Sequence, residues 1–332
     1  MYHEVGTVTE ERRLSIHDFV NDEEALHHYT GLEDYPKFML VFSCLGSSVY
    51  NLSYFYGSVP LLPVEDQFFI TLMKLRCNLD DFEISRKFKI TQAVLSNIFI
   101  TWINFMCLQL EDLGFWTSED LVQFYSPQDF YLKYPSTRAI MDGTECPVSK
   151  PKEPLAQQCT FSTYKNRNTV KVIAGCSPGG LVSYCSEAFG GSTSDRQIVE
   201  RSDLVNMCTP GDSLMADKGF NVQDLFERND VRINIPTFFR KKNRLSNKTV
   251  KADRQIASKR VHIERVIGLA KTFKILKKPL NNTQSALGSQ IIKVCFIAIR
   301  SNPLNFTILP VLSKGRITST LLHFNSCTLI LI

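Results

Sequence analysis

The chain has no strictly apolar run approaching the roughly 20 residues that a bilayer-spanning helix needs. Its start, Met1-Tyr2-His3-Glu4, lacks both the basic and the apolar stretch of a secretory leader, so secretion is not expected. The Asn-x-Ser/Thr matches at Asn51, Asn247, Asn281 and Asn305 then read as chance matches rather than glycosylation sites. None of the ten cysteines forms a Cys-x-x-Cys pair and no histidines cluster beside them. That argues against a structural zinc site and for reduced, mostly buried thiols. Internal repeats and low-complexity segments are also missing, which excludes solenoids and compositional linkers.

What is present is enough apolar sequence, 44% of 332 residues, to build one large domain or two ordinary ones around real cores. The net charge of +5 conceals an asymmetry. Residues 1–137 carry 9 Lys/Arg against 19 Asp/Glu, whereas residues 240–278 carry 14 against 2. A stretch so uniformly basic is the expected footprint of a polyanion, although a solvated helix face would look similar.

Residues 1–60 hold aromatic and aliphatic clusters broken by Gly46-Ser47-Ser48 and Gly57-Ser58, which predicts a helical lead-in. From Pro63 the spacing turns helical. Phe68, Leu72 and Leu75 form one stripe, Leu79 to Phe88 a short helix, and Gln92 to Phe105 a third helix with Thr91 as its N-cap and Val94, Leu95, Ile98 and Trp102 inward. This is a helix-turn-helix layout, whose exposed start of the last helix, with Gln92, Ser96 and Asn97, would face a major groove. A plain helical bundle is the alternative, and the acidic balance of the segment weighs against DNA reading.

Beyond Arg138 the pattern becomes mixed. Strands are predicted over 138–142, 169–176, 181–189, 213–217 and 231–236, with helices over 194–207, 222–228 and 250–273. That describes a mixed sheet flanked by helices, with a closing apolar helix within 291–312.

Three acids stand out in this frame. Asp142 and Asp217 each follow an apolar strand-like run, and Glu264 lies in the basic helix one residue off its buried stripe of Ile256, Ile263, Ile267 and Ala270. Hard oxygen ligands on separate elements are what two divalent cations about 3.5–4 Å apart require, one activating the attacking oxygen and the other stabilising the leaving one. Taken singly, each has a bland reading as a turn former, a cap or an ion-pair partner of Arg260. Asp195, in the first turn of a helix, is a candidate to support the metal ligands from beside the site, or else an ordinary first-turn acid. Lys165, Arg167 and Lys171 suit phosphate contact, as do Lys241, Lys242, Arg244 and Arg260 in the basic stretch. His262 is expected to be packed or solvated rather than a ligand.

Five blocks occur in order: Asp142-Gly143-Thr144-Glu145; Tyr164 to Lys171; Gly190-Gly191-Ser192-Thr193-Ser194-Asp195; Ala216-Asp217-Lys218-Gly219-Phe220; and Arg260 to Gly268. With the helix-turn-helix, they make about residues 60–305 resemble the DDE-superfamily endonuclease domain of eukaryotic PIF/Harbinger-type and related IS-like transposases. The resemblance implies an α/β, RNase H-like fold, a triad of Asp142, Asp217 and Glu264, and two Mg²⁺ or Mn²⁺ ions. It also implies DNA as partner and the nucleus as location, with the cytoplasm as the alternative. The expected division is a lead-in over 1–60, the helix-turn-helix over 61–110, a linker over 111–137, the nuclease domain over 138–305 and a tail over 306–332. The expected activity is cleavage of DNA phosphodiesters, with joining as its further step. Its rivals are a domesticated, inactive DNA- or protein-binding factor and an RNase H-type nuclease for RNA–DNA hybrids. A separate DNA-binding partner protein and self-association stay open, and no membrane partner is expected.

Overall fold

The computed structural model describes residues 12–57, 59, 62–112, 116–237 and 247–299. The acidic N-terminal part is helical: α1 (Glu23–Thr30), α2 (Tyr35–Cys44), α3 (Val64–Cys77), α4 (Asp81–Lys87) and α5 (Gln92–Asp112). Its caps follow from the sequence. Asp22 and Asp34 accept hydrogen bonds from Ala25 N and Lys37 N, and Thr91 Oγ1 accepts from Val94 N. Two short helices, α6 (Glu119–Tyr125) and α7 (Gln128–Lys133), lead to the sheet.

The sheet opens with β1 (Thr137–Pro147), followed by α8 (Pro154–Thr160), β2 (Phe161–Ser162), β3 (Arg167–Cys176), β4 (Val182–Cys185) and β5 (Phe189–Gly190). Helices α9 (Asp195–Glu200) and α10 (Leu204–Met207) then lead to β6 (Ser213–Met215), α11 (Gln223–Phe226) and β7 (Arg232–Asn234). The chain closes with α12 (Asn247–Ala270), α13 (Asn282–Ala286) and α14 (Gly288–Ala298). Strand order is β2-β3-β1-β6-β7, with β4 and β5 also paired to β3. The strands β1, β3 and β4 are antiparallel neighbours, while β6 runs parallel to β1 and β7 parallel to β6. This curled mixed sheet with helices on both faces is the α/β architecture expected, and it is consistent with an RNase H-like fold.

Alternation along β1 separates two cores. Ile140 and Cys146 face one side with Val172, Ala174 and Cys176 of β3, packed against Ile263, Val266 and Ala270 of α12 and Ile291, Val294 and Cys295 of α14. Ala139 and Met141 face the other with Ile173, Ile198, Val199, Leu214 and Phe226. The first core runs on without a break into Phe38, Phe68, Phe69 and Trp102, so the helix-turn-helix is packed into the same apolar body as the sheet. Among the described residues no single helix is long and apolar enough to cross a membrane, and the cysteines are free, most of them buried.

Several element bounds differ from the sequence reading. β1 continues for five residues past Asp142, because β3 begins at Arg167 and pairs with it as far as Pro147↔Thr169. The strand expected over 181–189 is divided into β4 and β5: Ser186 N still donates to Ile173 O, but Ile173 N donates to the Ser186 hydroxyl. The single helix expected over 194–207 is interrupted between α9 and α10. On α12, Val266 joins the buried stripe, while Ile256 and Ile267 are only partly covered.

Candidate active site

Asp142 lies where the parallel pairing of β1 with β6 has ended at Ile140↔Met215 but the antiparallel pairing with β3 continues through Asp142↔Ala174. It shares the parity of Ile140 and so faces α12. Asp217 follows the end of β6 after Ala216, whose N–H donates to Asn234 O and prolongs the β6–β7 pairing. The turn after Asp217 is closed by Phe220 N donating to its carbonyl. Both carboxylates therefore emerge at the C-terminal edge of the parallel strands, where α/β sheets place their ligands.

Arg260 of α12 joins them. Its Nη1 donates to Asp217 Oδ1 at 2.8 Å and its Nη2 lies 3.7 Å from Asp142 Oδ1. The guanidinium side chain is 14% exposed, against 26% for Asp142 and 55% for Asp217. Burial pushes the Asp142 carboxyl up; Arg260 and the Gly143 N–H pull it down, while Asp217 and Asp195 add to the rise.

Asp195 approaches from the opposite face. Ser194 and Gln197 form a reciprocal capping box that fixes the start of α9. This sets Asp195 against Gly143, where an added Cβ would meet Asp195 Oδ1 at 3.0 Å and Lys171 Cε at 3.3 Å. Lys171 Nζ lies 2.6 Å from Asp195 Oδ1 in a half-buried ion pair, so it is engaged with an acid rather than turned to open solvent. Glu145 on the same face accepts from Thr169 Oγ1 at 2.7 Å.

Glu264 stands apart. It is exposed, one helical turn beyond Arg260, and among the described residues its carboxylate has no ion-pair or hydrogen-bond partner. Among these residues no group of three His, Cys, Asp or Glu side chains is gathered closely enough to hold a metal ion. The structure thus brings Asp142 and Asp217 to one cationic centre at Arg260 and does not group Glu264 with them. The donor set still fits a hard divalent cation in kind: two carboxylates from separate strands already converge on a positive charge, and the Arg260 guanidinium is the cation standing there. The buried Arg260 Nε has no acceptor and Asp195 Oδ1 accepts no well-aligned hydrogen bond.

The remaining sequence candidates are distributed. Lys165 and Arg167 are exposed at the β2–β3 hairpin, where Asn166 adopts a positive φ of 51° and Lys165 Nζ sits 4.4 Å from the Tyr164 ring centroid. Lys241, Lys242 and Arg244 lie outside the described residues. His262 packs edge-on to Phe130 at 5.5 Å, and burial, then the nearby Arg265 and Lys259, push its pKa down.

The groove-facing reading of α5 requires correction at Asn97. Its side chain is buried, accepting from Tyr56 N at 2.9 Å and donating to Tyr56 O at 2.7 Å, so it fastens a preceding loop and cannot read bases. Gln92 is exposed and Ser96 half-buried. The role of Arg260 as a clasp between the two aspartates was hidden in the sequence, where its only visible partner was Glu264 four residues on.

Residues 141–298 match the family described as DDE superfamily endonuclease, and residues 60–112 match the helix-turn-helix of DDE superfamily endonuclease. No curated protein and no solved structure matches the chain. The first match takes in Asp142, Asp217, Arg260 and Glu264 and the second lies ahead of it, so over these two stretches the chain is similar to DDE superfamily endonucleases and their helix-turn-helix.

Proposed function

We propose that the protein is a metal-dependent DNA endonuclease of the transposase type, PIF/Harbinger-like, in which Asp142, Asp217 and Glu264 hold two Mg²⁺ or Mn²⁺ ions. The observation that carries this reading is the meeting of Asp142 and Asp217, from two parallel neighbouring strands, on one cation. When bound, divalent ions there would supply Lewis-acid polarisation of the phosphodiester and offset the charge that develops on its oxygens. Asp142 and Asp217 provide a rigid edge, since their backbones are held by the sheet and by the Asp217 turn. Glu264, one helical turn beyond Arg260 on α12, is the acid to which this reading gives the third ligand position. Lys165 and Arg167 on the hairpin, with Lys241, Lys242 and Arg244 before α12, bind backbone phosphates and set the register of the strand.

The division proposed for the chain is a helix-turn-helix over 61–110 and a nuclease domain over 138–305, acting on chromosomal DNA in the nucleus. With Asn97 turned inward, firm DNA binding calls for a separate DNA-binding partner or a second copy of the chain. The inactive-binder reading has an observation of its own in the exposed Glu264, which has no partner among the described residues.

Purified protein incubated with supercoiled plasmid distinguishes the two. The nuclease reading expects nicks that require Mg²⁺ or Mn²⁺ and fall by orders of magnitude in Asp142→Asn and Asp217→Asn. DNA retention without nicking in either metal would select the binder.

A further inference from the structure

We propose that Arg260 is a positioning residue that stands in for a divalent cation: it holds Asp142 and Asp217 together in the metal-free protein and competes with metal for them. This rests on the metal-site reading of the two aspartates and adds to it an internal competitor encoded in the chain.

The geometry supports competition rather than a neighbouring supportive contact. The guanidinium reaches both carboxylates, at 2.8 Å and 3.7 Å, through Nη1 and Nη2. Both contacts use Oδ1 of the acid, and Asp142 Oδ1 also accepts from Gly143 N at 3.0 Å. A cation entering between these oxygens would lie within a few ångströms of the guanidinium carbon, where a dication and a monocation repel strongly in a partly water-excluded setting. One must leave.

The helix itself is poorly placed to move away. Its packed stripe of Ile263, Val266 and Ala270 is buried against the sheet. Upstream, Asp253 Oδ1 accepts from Thr237 N and Oγ1 at 3.0 Å each. Lys259, beside Arg260, pairs with Asp129 of α7 and lies 5.0 Å from the Phe130 ring centroid. Release of the acids is therefore a change of Arg260 side-chain rotamer over a stationary backbone. The chain contains the cost of that change in the site it frees: without the guanidinium, Asp142, Asp217 and the nearby Asp195 repel one another until metal arrives. Because only the fraction with Arg260 withdrawn can take metal, the apparent affinity is reduced by that fraction.

The test is Mn²⁺ binding to the full chain, followed by the electron paramagnetic resonance of the free ion and by thermal unfolding. Arg260→Gln keeps length and polarity but removes the charge. It is expected to bind Mn²⁺ about tenfold tighter than wild type, to unfold at a lower temperature without metal, and to gain more from added Mn²⁺ than wild type does. Arg260→Lys, a point charge unable to span both carboxylates, should fall between them. It carries the test should Arg260→Gln fail to fold. Asp142→Asn should lose binding. Equal or weaker Mn²⁺ affinity in folded Arg260→Gln and Arg260→Lys overturns the competition while leaving the metal site standing. Absence of Mn²⁺ binding in wild type and both variants overturns the metal-site reading, and the competition with it.

Discussion

Among the described residues the two longest helices, α5 and α12, meet the same apolar body but expose opposite chemistry. α5 has 21 residues and buries Leu95, Ile98, Phe99, Trp102, Ile103 and Met106, with even its polar Asn97 and Thr101 covered. α12 has 24 residues, yet among its described residues only Ile263, Val266 and Ala270 are fully buried, and Lys259, Arg260 and Glu264 lie along its remaining faces. A helix surrounded by apolar neighbours contributes stability and has little surface left to offer a ligand. One with a narrow buried stripe can fix a charged side chain over a sheet edge. In this protein the helix expected to read DNA is largely core, and the helix with few buried contacts carries the groups suited to phosphate and metal.

The sharpest way to break that contrast is at Trp102, which is fully buried and donates from Nε1 to Gln67 Oε1 at 3.0 Å. Trp102→Ala is expected to cost about 3–5 kcal/mol of stability, from lost burial and the cavity left behind. Denaturant unfolding measures this, and Mn²⁺ affinity of the molecules that remain folded should be unchanged. A small stability loss accompanied by loss of metal binding would place α5 in the site after all.

A smaller effect should separate the helices in DNA binding. Neutralising Lys241, Lys242 and Arg244 together should flatten the log–log salt dependence of affinity by roughly 2 to 3, about 0.9 per phosphate contact removed, without altering sequence preference. Gln92→Ala at the start of α5 should leave both slope and preference as they are. A change of base preference in Gln92→Ala would restore α5 as the reading helix.

The smallest effect concerns the tether of α12 to α7. Hydrogen bonds from Lys133 and Lys259 lower the Asp129 pKa from 3.8 to about 2. A depressed carboxyl contributes stability above its unfolded value that disappears as pH falls through the folded one. The difference in melting temperature between wild type and Asp129→Asn should therefore be greatest above about pH 4 and be mostly lost as pH falls through about 2. As Asp129 is solvent-exposed, the difference should remain well below that for Trp102→Ala. A difference that persists unchanged to pH 2 would assign the Asn effect to something other than charge.

Local signals were legible where neighbours in sequence are neighbours in space. Thr91 caps α5 as its hydroxyl-first pattern implies, Ser194 caps α9 in the same way, and apolar strand-like runs located β1, β3, β6 and β7. What failed depended on partners far along the chain. Asn97 looks exposed by helical spacing and is buried only because the backbone of Tyr56 folds over it. Asp142 looks like the end of a strand, since nothing local shows that β3 will extend the pairing to Pro147. Arg260 read as an intrahelical partner of Glu264, and its contact with Asp142 and Asp217 required three elements to assemble. Lys171 read as a phosphate contact, and only the packing of α9 shows it paired with Asp195.

The central claim, that α12 supplies the third acid of a metal-dependent nuclease, depends most on Glu264. Single-turnover cleavage of duplex DNA by Glu264→Gln, in Mg²⁺ and in Mn²⁺, tests it most directly. The variant should fold and bind DNA as wild type does and lose cleavage by orders of magnitude in Mg²⁺. Partial recovery is expected in Mn²⁺, which tolerates less regular coordination than Mg²⁺. Cleavage at the wild-type rate in both metals would show that Glu264 is only an exposed helix acid and would contradict the account.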